Sequence, residues 1–237
     1  IIPVHMNGRS CDMQTINALA KKYKLFVIED AAQAIASKNT YGYLGTQSDI
    51  GCFSLSVAKT IATGQGGFAV TNDSELATKI RAIRTHGVEN VKNPKKWTMP
   101  GFNFRFNDIL ASIGIEQLKR LPTRVNHLRD LYITYEQGLK NPFFKIIPVD
   151  IDAGEVPVYS EFLVENREQW ITQLSVSGIE LRPFYPNINT ASYLKQTKEV
   201  FLNSEPYGKN GTYLPNGPDQ PLENIEKVID SIQKISI

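Results

Sequence analysis

Cysteine and histidine are scarce in this chain: Cys11, Cys52 and three histidines in 237 residues. The two cysteines do not stand at metal-ligand spacing, and no metal site is expected from them. One disulfide between them is open to the chain but unsupported, so a reducing cytoplasm is the simpler reading. Charge of one sign is also lacking. The formal net charge is +2 and no run of lysines and arginines forms a basic stripe, which argues against a nucleic-acid partner. The longest apolar runs are strand-length, too short to span a membrane, and no charged-then-apolar leader precedes them. There is no internal repeat and no low-complexity segment. An initiator methionine is missing too. The chain opens on Ile1-Ile2-Pro3-Val4-His5, a strand already under way, and reads as a fragment.

What is present is ordinary for a soluble protein with a real core: 41% hydrophobic and 21% charged residues. The length suits one large domain, or one domain and a smaller partner. Met13 to Tyr23 has helical spacing with Asp12 as a cap. Leu25 to Ile28 is a short apolar run of the kind that fills a buried parallel strand, and it stops at Glu29-Asp30. Further strands are expected at Ile50 to Leu55 and Gly67 to Thr71, and a helix at Ser74 to Arg84 capped by Asp73 or Ser74. Strands alternating with helices predict an α/β domain with a mainly parallel sheet. From Asn107 to Gly138 the pattern predicts two helices broken near Leu121-Pro122. Beyond them come a strand-like Pro157 to Val164, a helix at Arg167 to Val176, a proline-rich stretch at Arg182 to Asn189 and a last helix from Leu222 to Ile235. The boundary between a larger domain, 1–122, and a smaller one, 123–237, is placed near residue 122.

Two segments carry chemistry. Asp30 sits where a buried strand gives way to an Ala-rich helical turn, Ala31-Ala32-Gln33-Ala34, at the sheet edge where open α/β folds bind ligands. Lys59, in Ser54-Leu55-Ser56-Val57-Ala58-Lys59, follows another strand and precedes the turn Gly64-Gln65-Gly66-Gly67. A carboxylate and an amine at one edge are what pyridoxal phosphate requires. The carboxylate keeps the pyridine nitrogen protonated, and the amine bonds to the aldehyde. Desolvation and a neighbouring cation would lower that amine's pKa. Gln33, three residues after Asp30, could share its helical face and reach the ring oxygen. Ser54 could offer its hydroxyl to the phosphate. Taken singly, Asp30 reads equally as a helix cap, and Lys59 more readily as a solvated surface residue.

Together these pieces change the reading. The chain resembles the DegT/DnrJ/EryC1/StrS aminotransferases over nearly its whole length. The resemblance is carried by Pro3-Val4-His5, Ile28-Glu29-Asp30-Ala31-Ala32-Gln33-Ala34, Gly45 with Asp49, Cys52-Phe53-Ser54, Lys59, Gly64-Gln65-Gly66-Gly67 and Thr71-Asn72-Asp73. It continues in His86-Gly87, Gly101-Phe102-Asn103-Phe104-Arg105 and, more weakly, Arg182-Pro183-Phe184-Tyr185-Pro186 and Leu214-Pro215. It implies a fold-type-I pyridoxal-phosphate-dependent transferase: an N-terminally incomplete large domain and a smaller α/β C-terminal domain. The implied function is transfer of an amino group from L-glutamate to a keto-sugar nucleotide by a cytoplasmic homodimer with shared active sites. It makes Lys59 the covalent cofactor lysine, Asp30 the partner of the pyridine nitrogen, Gln33 a ring-oxygen contact and Ser54 a phosphate contact. Asn103 would reach the cofactor phosphate of the other subunit, and Arg105 the diphosphate of the substrate. For Arg105 a surface or domain-bridging ion pair is an equal reading. His86 and Tyr185 read as packing or loop residues, and His127 as solvated surface.

The departures matter. Family members carry roughly a third more chain ahead of this start, holding a backbone phosphate loop and the aromatic ring that stacks on the pyridine. Neither has a counterpart here. Gln65 stands where the family most often has glutamate. Some relatives replace the lysine by histidine and become dehydratases, a branch that Lys59 argues against. The Lys59-Thr60-Ile61 and Phe102 to Arg105 segments lean towards perosamine-synthase-type members. A second reading is a non-catalytic remnant that dimerises or binds a partner. A third, a lyase or desulfurase on the same scaffold, lacks support because the Asn103-Phe104-Arg105 segment matches the sugar family.

Overall fold

A computed structural model describes residues 1–195 and 199–235. In chain order the elements are helix α1 (Met13–Tyr23), strands β1 (Ile28–Asp30), β2 (Lys38–Asn39), β3 (Gly42–Tyr43), β4 (Ile50–Ser54) and β5 (Gly67–Val70), then α2 (Ser74–Arg84) and α3 (Asp108–Gly138). After these come β6 (Phe144–Ile146), β7 (Ser160–Val164), α4 (Arg167–Val176), β8 (Arg182–Pro183), α5 (Glu205–Asn210), β9 (Gly211–Leu214) and α6 (Leu222–Lys234). The chain divides into two compact units. One holds residues 1–123 with 150–156, and the other residues 124–149 with 157–237.

In the first unit, β1 pairs parallel with β4, matching Asp30 to Cys52, and β5 closes the sheet antiparallel to β4. On the other side of β1, residues 1–5 run alongside it and make a parallel bridge from Val4 to Asp30. Both flanking helices begin where the sequence offers a carboxylate. Asp12 accepts the Thr15 N–H at 3.0 Å, and Asp73 accepts those of Glu75 and Leu76 at 2.8 and 3.1 Å. Such caps satisfy donors that the first helical turn leaves unpaired. Met13 and Ala20 of α1 bury against Val27.

The apolar run at residues 25–28 contributes less to the sheet than expected. Leu25 closes the end of α1 through its N–H to Ala20, and Leu25 and Phe26 stay 48% and 74% exposed. The strand itself is Ile28–Asp30. Nor does a helix follow it: residues 31–37 form successive turns, closed by Ala34 N–H to Ala31 and Ser37 N–H to Ala34.

Helix α3 runs unbroken through Pro122, against the expected pair of helices. A proline inside a helix removes one backbone hydrogen bond and costs about 3 kcal/mol. Five residues beyond it, Val125, Leu128, Leu131, Tyr132 and Tyr135, are buried at helical spacing and offset that cost. In the second unit, the sheet order is β6-β7-β9-β8, antiparallel throughout. Its core joins Tyr135, Phe144, Phe162 and Trp170. Phe144 meets Trp170 edge-on at 4.7 Å, and Tyr135 meets Phe162 at 5.6 Å. Helix α6 buries Ile225, Val228, Ile229 and Ile232, one apolar stripe. His127, expected as solvated surface, is partly buried, with its Nε2 2.7 Å from the Gln220 carbonyl oxygen. No helix among the described residues is long and apolar enough to cross a membrane.

Candidate active site

Strand alternation settles which residues share a face. Asp30 on β1 is in register with Cys52 on β4, and Ser54 lies two residues further along β4 on the same side. Phe53, between them, faces the other way and packs with the buried cluster of Ala31, Ala34 and Leu44. The carboxyl end of the sheet therefore presents a carboxylate, a thiol and a hydroxyl together.

Lys59 follows β4 in a clamped loop. Leu55 N–H donates to Gly66 O, Thr63 N–H donates to Leu55 O, and Ser56 bridges to Gly64. Gly64 and Gly66 take φ of +92° and +107°, a backbone region that a side chain would strain. The ends of the loop are thus fixed, and Lys59 N–H closes on Ser56 O at 3.2 Å within it. Burial lowers the Lys59 pKa below its ordinary value, and the attraction of Asp30 works in the opposite direction. Among the described residues, Asp30 is the one charge that acts appreciably on this amine. The sequence led us to expect a neighbouring cation as a second cause of the lowering; the structure supplies burial alone. Burial, then the charge of Asp30, raises the Cys52 thiol, which stays protonated at neutral pH.

Asp30 is no helix cap, since no helix follows it. Its Oδ1 accepts the Ala32 N–H at 3.0 Å in a local turn. Gln33 therefore reaches its position through turns rather than by sharing a helical face. Its Oε1 accepts the Asn7 N–H at 2.8 Å, which leaves the amide NH₂ as the group it can offer. Ser54 Oγ accepts the Ser56 N–H and lies 3.2 Å from Ser56 Oγ. Asn103 and Arg105 stand together on an exposed segment, with Arg105 Nε–H donating to Asn103 Oδ1 at 2.8 Å. The ion-pair reading of Arg105 finds no acidic partner among the described residues. His86 is exposed, and its backbone N–H bonds to Phe102 O.

Sequence reasoning passed over the pair beneath this face. Glu29 and His5 are both 0% exposed and meet at 2.9 Å. Glu29 also accepts the N–H groups of Gly45 and Gln47, each at 2.7 Å, and the Ser48 hydroxyl at 2.9 Å. The Cys11 N–H donates to His5 Nδ1 at 3.2 Å, so Nε2 carries the proton given to Glu29. A signal was available: in a strand, adjacent Glu29 and Asp30 point to opposite faces, so the inward carboxylate must find partners. Burial pushes the Glu29 carboxyl up, but the bonds from His5, Gly45, Gln47 and Ser48 outweigh it and hold it below its ordinary 4.5. A depressed carboxylate contributes its full stability above 4.5 and loses it as pH falls through the folded value. Glu29→Ala is expected to cost about 3 kcal/mol or more at pH 7, because it strands buried donors. Urea melts should show that loss shrinking below pH 4.5; a loss under about 1 kcal/mol at pH 7 would contradict this.

The donor set fits pyridoxal phosphate: a carboxylate for its ring nitrogen, a half-buried amine of lowered pKa for its aldehyde, and a hydroxyl at the strand end for its phosphate. Comparisons with known proteins identify the family. The chain spans about two thirds of the length of the curated relatives it matches. It is 31% identical to GDP-perosamine synthase of Caulobacter vibrioides, across 100% of this chain and 66% of that protein. It is equally 31% identical to dTDP-3-amino-3,6-dideoxy-alpha-D-galactopyranose transaminase of Aneurinibacillus thermoaerophilus, across 99% and 64%. Among solved structures, a DegT DnrJ EryC1 StrS aminotransferase from Brucella abortus superposes with a TM-score of 0.89 at 26% identity, across 98% of this chain and 63% of that one. The family model of the DegT/DnrJ/EryC1/StrS aminotransferases matches residues 1–233. The chain belongs to that family, and its fold is that of the fold-type-I transferases.

Proposed function

We propose that this chain carries the cofactor-handling residues of a cytoplasmic transaminase that moves an amino group from L-glutamate to a keto-sugar nucleotide, acting as a homodimer. The observation that supports it most is the placement of Asp30 and Ser54 at the carboxyl ends of β1 and β4, with the half-buried Lys59 in the clamped loop that follows β4. In this reading residues 1–122 belong to the cofactor-binding domain and 123–237 to the smaller domain.

Pyridoxal 5'-phosphate, when bound, supplies an electron sink for negative charge developing on a substrate carbon. Asp30 holds a proton on the ring nitrogen by opposite charge at close range. Lys59 Nζ is neutral in a larger share than an exposed lysine's because burial disfavours its charge. With the cofactor in place, this amine would be the group that holds its aldehyde end and the base positioned to carry the proton leaving the donor's α-carbon. Gln33 would offer its NH₂ to the ring oxygen, Ser54 its hydroxyl to the phosphate, and Asn103 would reach the phosphate in the site of the second copy.

The test is to offer the full-length protein L-glutamate, pyridoxal phosphate and a set of keto-sugar nucleotides covering GDP, dTDP and UDP sugars, classes named by its relatives. An amino sugar formed in step with 2-oxoglutarate is the expected outcome. Cofactor bound at Lys59 with no amino transfer to any keto sugar would contradict the substrate class.

A further inference from the structure

The amide of Asn103 has two faces, and Arg105 decides which one is offered. Residues 102–105 form an extended segment pinned along the end of α2. Phe102 N–H donates to Ile83 O at 2.7 Å, Phe104 N–H to Arg84 O at 2.9 Å, and Thr85 bridges to Asn103. Phe102 and Phe104 share one face, their rings stacked at 4.8 Å and 4°. Asn103 and Arg105 occupy the other by alternation. The segment also abuts the turn after Lys59, since a Cβ on Gly66 would lie 2.4 Å from the Phe106 ring.

On that face, Arg105 Nε is 2.8 Å from Asn103 Oδ1. A guanidinium has donors and no acceptor, so the atom it meets must be the amide oxygen. The amide NH₂ is thereby turned away from Arg105, and the guanidinium keeps its terminal N–H groups beside it. The group that Asn103 then offers outward is its NH₂, a donor that suits a phosphate oxygen. Without Arg105 the amide could rotate by half a turn and present its oxygen, which repels an anion.

We infer that Arg105 is a positioning residue: it locks the Asn103 amide with NH₂ outward, and so acts on the cofactor phosphate through Asn103. This rests on the reading above that Asn103 contacts that phosphate. A direct role of Arg105 on the substrate diphosphate, the sequence expectation, makes a different forecast.

Equilibrium dialysis of the full-length protein against pyridoxal 5'-phosphate, and against pyridoxal, which lacks the phosphate, separates the cases. Asn103→Ala should weaken pyridoxal phosphate binding about tenfold, the scale of one lost charge-assisted hydrogen bond. Pyridoxal binding should stay unchanged. Arg105→Gln and Arg105→Lys should each produce nearly the same loss, because lysine keeps the charge but cannot reproduce the Nε contact. The double variant N103A/R105Q should lose no more than N103A alone. Size-exclusion chromatography and thermal melts should show each variant assembled and folded as the parent is, which separates lost phosphate binding from a lost dimer. Additive losses, or an R105K variant that binds as the parent does, would overturn the positioning role while leaving Asn103 in place. An N103A variant that binds pyridoxal phosphate normally would remove the underlying reading, and the inference with it.

Discussion

Asp30→Asn is expected to cut turnover by several orders of magnitude while leaving the fold nearly intact. The asparagine keeps an Oδ1 that can accept the Ala32 N–H, the hydrogen bond Asp30 makes in the structure. It is nearly the same size, and no helix follows for it to uncap. What it lacks is the negative charge that keeps a proton on the ring nitrogen. Lys59 should respond as well. Asp30 raises its pKa against burial, so removing the carboxylate should lower that pKa further. A rate loss of tenfold or less, or a stability loss well above about 1 kcal/mol, would return Asp30 to a structural role.

Lys59→Ala should abolish turnover, and Lys59→Arg should abolish it equally. The pair separates charge from nucleophilicity, because arginine restores the positive charge beside Asp30 but is never deprotonated in a protein. The loop that carries Lys59 is held by backbone bonds at residues 55, 63, 64 and 66, so neither variant should unfold it. A small primary amine added in solution should restore part of the rate to the alanine variant, since the missing group is an amine. Parent-like turnover in K59R would show that charge alone suffices and would remove Lys59 from the chemistry.

Much of this site was legible in the sequence because its parts are local. Asp12 and Asp73 announce their helices by the donors they can accept, and the apolar spacing that follows confirms the period. Asp30 and Ser54 stand at the ends of strand runs and Lys59 in the loop that follows one, so chain direction alone assigns the sheet edge. Other features depended on partners distant in sequence. Leu25 and Phe26 look like strand interior by composition, yet the strand begins only where residues 1–5 and β4 supply hydrogen-bond partners. Pro122 looks like a helix end, yet the residues buried after it outweigh its local cost. The turns at 31–37 imitate a helix through their alanines. Glu29 and His5 are 24 residues apart, and neither shows on its own that the other satisfies it. The orientation of the Asn103 amide is likewise a matter of contact between side chains.

The most direct test of the central claim, that Lys59 is the cofactor amine beside Asp30, is chemical. The full-length protein is incubated with pyridoxal 5'-phosphate, reduced with borohydride, digested, and the mass-shifted peptide sequenced. The expected result is one stoichiometric adduct on the peptide containing Ser54 to Lys59, diminished in Asp30→Asn and absent in Lys59→Ala. A stoichiometric adduct on another lysine, or an unchanged adduct pattern in Lys59→Ala, would contradict it.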